Sequence, residues 1–278
     1  MRQLITAATL LVAASVVVAE DKRLLWGDTH LHTNNSFDAI TIGNKSIGPA
    51  EAYRYARGLP VVHPYHGARV QIGTPLDFLV VSDHAEFLGL VRHVYEQGAP
   101  TEGLGPIDIV YAWLSSLAIK VGIDTRWGAL LFGSRLPDSE DPRVAGERIA
   151  EQGFSLGGIQ ANPDISRQVW SEITAAADAY NDPGDFTALI GWEWSSNAGG
   201  ANLHRIVITD GDAASANQYL PFSFLDSAFP EDLWAWLADT TETVGADFIA
   251  IPHNSNISKG YMFDTETLRG KPLSESYI

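Results

Sequence analysis

Leu24–Thr33 reads LLWGDTHLHT, an apolar run that leads into a polar cluster in which His30 and His32 lie two residues apart. If the run is a strand, alternate side chains point to the same face, so both imidazoles point toward one spot. Neutral histidine is the commonest metal ligand in proteins. The pair therefore suggests a metal site, and the alternative is one exposed histidine beside one that is satisfied by local hydrogen bonds.

The composition is that of a folded, acidic protein without cysteine. Of the 278 residues, 45% are hydrophobic and 19% are charged, which is typical of a globular chain. The formal net charge of −16 argues against nucleic acid as a partner, because binding to phosphate backbones depends on clustered Lys and Arg. Without cysteine, any metal would have to be held by His, Asp and Glu.

Residues 1–19, MRQLITAATLLVAASVVVA, have the pattern of a secretory signal peptide. Arg2 gives a positive start, Leu4–Val18 is apolar and uncharged, and Val17 and Ala19 are the small residues of a cleavage site. The stretch is short for a membrane span of roughly 20 residues, and the alternatives are an uncleaved anchor or a buried first helix. We expect export to the periplasm or the extracellular space. We expect no stable membrane insertion of residues 20–278, since no later segment looks long and apolar enough.

Four further apolar runs have the length of strands, and residues of ligand type lie near their ends. Asp77–Val81 precedes Asp83 and His84, Phe186–Gly191 precedes Glu193, Asn202–Thr209 has His204 near its start, and Asp247–Ile251 precedes His253. Such runs suit parallel α/β sheets, in which the carboxyl ends of the strands share one face and build the active site. The pattern predicts one polynuclear metal site, with His63, His66 and His93 outside it.

Helices are predicted between these strands, over Pro49–Arg57, Glu86–Gln97, Ile107–Val121, Pro142–Gln152, Ile165–Tyr180 and Pro230–Val244. Residues 98–163 exceed what one crossover helix needs, so we expect a mainly helical insertion that caps one face. Gly153–Gly157 fits G-x-S-x-G, but a nucleophile elbow needs a strand before the serine. A helix is predicted there instead, and we reject Ser155 as a nucleophile.

Five segments, GDTHLHTNNSFDA, PLDFLVVSDHAEFLG, GWEWSS, NLHRIVI and IPHNSN, together resemble the PHP (polymerase and histidinol phosphatase-like) superfamily. The closest resemblance is to the PHP-like family called domain of unknown function 3604, and it covers most of residues 24–263. It implies a distorted (β/α)7 barrel that binds two or three divalent metals, for which a His/carboxylate site suits Mn, Zn or Fe.

The same resemblance implies a distribution of ligands. His30 and His32 would hold the first metal, Glu193 would bridge the first and second, His204 and His253 would hold the second, and His84 and Asp38 would hold the third. Asp28 and Asp83 are better placed to orient ligands than to bind. The superfamily also carries a late Asp-x-His motif, and no such pair follows His253. With too few strands to close a barrel, we expect an N-terminal fragment that is incomplete at its C-terminal end.

The expected activity is metal-assisted hydrolysis, with a hydroxide between two metals as the attacking group. Glu193, Asp83 and Arg205 are the catalytic candidates, and Arg205 or Lys259 could bind a small anionic substrate. A phosphate ester as that substrate follows from the resemblance alone. The alternatives are an amidohydrolase-type enzyme acting on C–O, C–N or sulfate-ester bonds, often with a lysine where Glu193 stands, and a non-catalytic metal-binding module. The oligomeric state stays open.

Overall fold

The computed structural model describes residues 22–127 and 140–274. The expected signal peptide, residues 1–19, lies outside the described residues. Residues 128–139 of the expected insertion also lie outside them. The described part is a mixed α/β structure built on one curled sheet. Its main sheet has five strands, which are β1 (Gly27–Leu31), β4 (Phe78–Val81), β5 (Thr187–Trp194), β6 (Arg205–Thr209) and β7 (Phe248–Pro252). The five predicted strands are thus all present.

The remaining elements are a small hairpin and the helices. The hairpin is β2 (Val61–Val62) with β3 (Arg69–Val70). The helices are α1 (Phe37–Thr41), α2 (Pro49–Ala56), α3 (Leu90–Gln97), α4 (Pro106–Thr125), α5 (Pro142–Gln152), α6 (Pro163–Tyr180), α7 (Ala213–Ala216) and α8 (Pro230–Val244). Helix α3 begins later than predicted because Phe87 and Gly89 have φ of 53° and 71°, which a right-handed helix cannot accommodate.

The strands of the main sheet are ordered β1-β4-β5-β6-β7, and one of them is reversed. Strands β1, β4 and β5 are parallel, β6 is antiparallel to β5, and β7 is antiparallel to β6. Residues 195–204 join β5 to β6, and this link is shorter than the dozen or so residues that a parallel crossover needs. The expectation of a wholly parallel sheet was therefore wrong at β6.

The sheet curls into half a barrel. In a flat sheet, β1 and β7 would be separated by four strand spacings of about 4.8 Å each. The rings of His30, in β1, and His253, just after β7, have centroids only 4.2 Å apart. Within the described residues, the two edge strands pair only with β4 and β6, so the expected closed (β/α)7 barrel is not formed there.

The two faces of the sheet have different roles. The convex face packs against α2, α6 and α8 and forms the largest hydrophobic core, which contains Trp170, Trp192 and Trp194. Because side chains alternate along β5, Glu193 points to the concave face between the two tryptophans. The segment Trp192-Glu193-Trp194 is thus divided into aromatic packing on the convex face and a carboxylate on the concave face.

Helix α4 belongs to the expected insertion. It packs on α1 and α3, with Ile119 and Ile123 in a second core. Its other side exposes large apolar residues, among them Ile107 and Trp113. Helix α4 has 20 residues and is long and apolar enough to cross a membrane by length and composition. The expectation that no later segment meets this measure was therefore wrong.

We predict that Trp192→Ala lowers the free energy of unfolding by about 3–5 kcal/mol, since it empties a large core site. Trp192 is 1% exposed, lies edge-on to Trp170 and Trp236, and donates its indole N–H to the Phe222 carbonyl at 3.0 Å. Urea unfolding followed by circular dichroism measures the loss.

The matched control is Trp113→Ala, whose indole is 63% exposed on α4. We expect its effect to stay within about 0.5 kcal/mol. Equal losses in the two variants would contradict the assignment of the core to the convex face.

Candidate metal centre

The centre is organised around the carboxylate of Glu193, which is fully buried. Its Oε1 lies 2.6 Å from His204 Nδ1 and 2.6 Å from His253 Nε2. Its Oε2 lies 2.8 Å from His32 Nε2, 3.3 Å from His30 Nε2 and 3.4 Å from His84 Nδ1. One side chain of the middle strand therefore contacts every histidine that the strand-end pattern singled out.

The sheet brings these residues together because all of them lie at one end of its strands. His30 and His32 come from the end of β1, His84 follows β4, and His253 follows β7. His204 immediately precedes β6, and since β6 is reversed, its beginning lies beside the end of β5. The reversal explains why a residue at the start of a strand joins residues at the ends of the others.

Asp38 extends the cluster beyond His32. Its Oδ2 lies 2.9 Å from His32 Nδ1 and 3.7 Å from His84 Nε2. Ser36 donates its hydroxyl to Asp38 Oδ1 at 2.6 Å and so fixes this carboxylate at the start of α1. His32 thus lies between two carboxylates, Asp38 at Nδ1 and Glu193 at Nε2.

The donor atoms lie close enough together to share an ion after small adjustments. Ligand atoms at roughly 2.0–2.2 Å from one metal are roughly 3 Å from each other. Three groups have donor atoms that all lie within 4.8 Å of one another: His30/His32/Glu193, His32/Asp38/His84, and His84/Glu193/His204. His253 lies outside these groups but contacts Glu193 directly. The residues therefore could hold a metal ion, as expected.

The charges of the cluster also fit a cation. Burial raises the pKa of Glu193, but the charge of His84 and the hydrogen bonds from His204 and His253 outweigh it, so this pKa lies well below its usual range. Burial lowers the pKa of His32, but hydrogen bonds to Asp38 and Glu193 raise it by more. The resulting pKa of His32 is about 10. A protonated His32 places positive charge between two carboxylates, and a bound cation would replace that charge. Among the residues that the structure describes, His204 Nε2 is buried and has no hydrogen-bond partner.

Two further aspartates hold the loop and strand that carry the first histidines. Asp83 is buried and accepts hydrogen bonds from the backbone N–H and the hydroxyl of Thr33, the residue after His32. Asp28 accepts from the backbone N–H of His30 at 2.8 Å. Their contacts are with the backbone and Thr33, which is the geometry of orienting groups.

Arg205 and Lys259, the two candidates for binding a substrate, make contacts with other parts of the chain. Arg205 lies opposite Trp194 in the β5–β6 register, on the convex face, with its guanidinium over the rings of Trp194 and Trp234. Lys259 donates to the carbonyl of Gly199 at 2.7 Å. Strand alternation turns Arg205 away from its neighbour His204, so its position does not support the predicted roles in substrate binding and catalysis.

The other histidines lie elsewhere, as the strand pattern indicates. His63 and His66 stack on each other in the turn between β2 and β3, with ring centroids 4.7 Å apart, and His93 lies on α3. Ser195 and Glu86 are among the residues near the cluster that the sequence analysis missed. Ser195 bonds through its hydroxyl to His84 Nδ1, and Glu86 accepts from the backbone N–H of Ser195 at 3.0 Å. Alternation along β5 puts Ser195 on the same face as Glu193, a signal that could have identified it.

Fold and site together define an α/β protein with a candidate metal centre at one end of a half-barrel sheet. The chain belongs to the family described as Protein of unknown function (DUF3604), whose model matches residues 19–278. The resemblance to this family, based on the five sequence motifs, is confirmed. No curated protein and no solved structure matches the chain.

We predict that the double variant His30→Ala/His32→Ala binds less metal per chain, because it removes donors from two of the three groups. Mass spectrometry of the metal content, after loading and desalting, measures the stoichiometry. The matched control is His63→Ala/His66→Ala, which should keep the wild-type value. Full retention of metal by the first variant would contradict the proposed ligands.

We predict that Asp83→Ala weakens metal affinity about 10–100-fold without lowering the stoichiometry at saturation, as expected of an orienting residue. The variant leaves the N–H and hydroxyl of Thr33 without their acceptor. Asp83→Asn keeps an oxygen acceptor and should recover most of the affinity in a metal titration. A lower stoichiometry at saturation would instead make Asp83 a ligand.

Proposed function

We propose that this protein is a metal-dependent hydrolase of small anionic esters, with phosphate monoesters as the first class to test. The observation that carries the proposal is the convergence of five imidazoles on the buried carboxylate of Glu193, with Asp38 beside them. A cluster made only of His and carboxylate donors suits Mn, Zn or Fe. We propose two or three such ions per chain.

We also propose that the family belongs to the PHP superfamily. The order of the five motifs supports this, and so does the placement of their histidines and carboxylates at one end of a curled sheet. A (β/α)7 barrel as the fold of this superfamily is part of the same proposal. We propose export on the basis of residues 1–19 alone. We propose a small anionic substrate because bound divalent metals would give the centre positive charge.

Some residues of the centre would bind the metals, and others would orient the ligands. His30, His32, Glu193, His84, His204 and His253, with Asp38, would hold the metals. Divalent ions there would lower the pKa of a water molecule toward ~7 and neutralise charge on the ester. Asp38, 2.9 Å from His32 Nδ1, orients this imidazole so that Nε2 faces Glu193. Ser195 orients His84 through the bond between its hydroxyl and His84 Nδ1, and Glu86 holds Ser195 by accepting from its backbone N–H.

Hydrolysis of a phosphate monoester needs no nucleophile from the protein. The oxygen of water bonds to phosphorus, the ester P–O bond breaks, and the departing oxygen takes a proton from the water. The chain has no cysteine, and Ser155 follows helix α5 where a nucleophile elbow would need a strand. Both observations favour water as the attacking group.

The test is a hydrolysis assay of the protein loaded with Mn, Zn or Fe, using phosphomonoesters, phosphodiesters, sulfate esters and lactones. We expect phosphomonoesters to be cleaved, a chelator to abolish the activity, and added metal to restore it. Glu193→Gln should lower kcat/KM by more than about 100-fold, since it removes the charge that the ligands share.

The His63→Ala/His66→Ala variant serves again as the matched control and should retain activity. Bound metal without cleavage of any of the four substrate classes would overturn the proposal in favour of a non-catalytic metal-binding module. Cleavage of lactones or sulfate esters alone would favour the amidohydrolase-type or sulfatase alternative.

A further inference from the structure

A cleft of about 320 Å³ opens directly beside the metal centre. His84 and His204 line the cleft and also belong to the metal centre. The rest of the lining is mostly apolar and comes from distant parts of the chain: Phe37, Phe87, Ile149, Phe154, Leu156 and Phe224. Ligand pockets are typically concave and apolar, with a few polar groups that fix orientation. The cleft has this character, and its polar groups include those of the centre.

Aromatic rings form the frame of the cleft. Phe37 stacks on the imidazole of His84, with ring centroids 4.6 Å apart and planes inclined by 20°. Phe154 contacts Phe87 at a centroid distance of 5.9 Å and Phe224 at 5.6 Å, the latter edge-on. The walls of the cleft therefore offer aromatic surface to a ligand ring.

The cleft and the centre are held together by Glu86. Its Oε1 accepts from the backbone N–H of Ser195 at 3.0 Å and from that of Phe224 at 2.8 Å. Ser195 in turn bonds to His84. One buried carboxylate therefore fixes both a wall of the cleft and a residue of the metal cluster, so a molecule that spans both meets a preformed site.

Part of the wall comes from the inserted segment. Ile149 lies on α5, and Phe154 and Leu156 follow it, all of them half-buried. Their side chains face the cleft, whereas Val144 on the same helix is 52% exposed. The insertion thus contributes apolar surface to the immediate neighbourhood of a charged centre.

We propose, resting on the hydrolase function above, that this cleft receives an aromatic or similarly bulky apolar group of the substrate while the anionic ester group lies at the metals. The substrate class is then an ester of an aromatic or arylalkyl alcohol rather than of a small polar one. The apolar group is removed from water among Phe37, Phe154 and Phe224, and this burial adds to the attraction of the anion.

The test compares two non-hydrolysable anions, benzylphosphonate and methylphosphonate, in calorimetric titrations of the metal-loaded protein. Both carry the same phosphonate group, and only the first carries a ring. We expect benzylphosphonate to bind at least about tenfold more tightly, as burial of an aromatic group predicts.

Two variants test whether the preference for benzylphosphonate over methylphosphonate arises in the cleft. Leu156→Trp fills the cleft and Phe154→Ala removes part of its wall, so each should reduce the ratio of the two affinities to less than about threefold. The matched control is Val144→Ala, at the exposed position on α5, which should keep the wild-type ratio.

The outcomes separate the two proposals. Equal binding of both phosphonates by the wild-type protein would overturn the cleft as a subsite and leave the hydrolase function standing. Binding of neither would overturn the proposed function, and saturation-transfer NMR with benzyl alcohol would then decide about the cleft. Benzyl alcohol binding that is lost in Leu156→Trp supports the cleft as an aromatic site, and no binding to wild type overturns it.

Discussion

The buried negative charge of Glu193 is the constraint on which the rest of the site depends. An isolated carboxylate at this depth would be costly, so it must be surrounded by partners that carry or attract positive charge. Its two oxygens divide those partners, with His204 and His253 on one side and His30, His32 and His84 on the other. The convex face makes this possible, since Trp192 and Trp194 hold the strand in the core on either side of Glu193.

Much of the fold could be predicted because its signals are local. Each strand is a short apolar run, and helices such as α5 and α8 start at proline and match their predicted bounds. The direction of β6 could not be predicted from its own residues, since an apolar run reads the same either way. The short link 195–204 carried that information, because it is better suited to a hairpin than to a crossover.

Within the site, the strand ends identified the histidines, and side-chain direction decided the rest. His204 and Arg205 are neighbours in sequence, yet only the first faces Glu193, and the second packs among tryptophans. Asp38 was implied by resemblance alone, because it lies on α1, where no strand pattern applies. Phe154 and Leu156 could not be connected with the site from sequence, since the cleft forms only when the insertion folds over His84.

The curl of the sheet has a consequence for how the half-barrel keeps its shape. Strands β1 and β7 share no backbone ladder, yet Glu193 of the middle strand reaches His30 on one edge and His253 at the other. At this end, side-chain bonds rather than main-chain pairing set the radius of the barrel. A change that flattened the sheet would therefore pull the histidines apart before it broke any strand pairing, and a tighter cluster would draw the two edges closer.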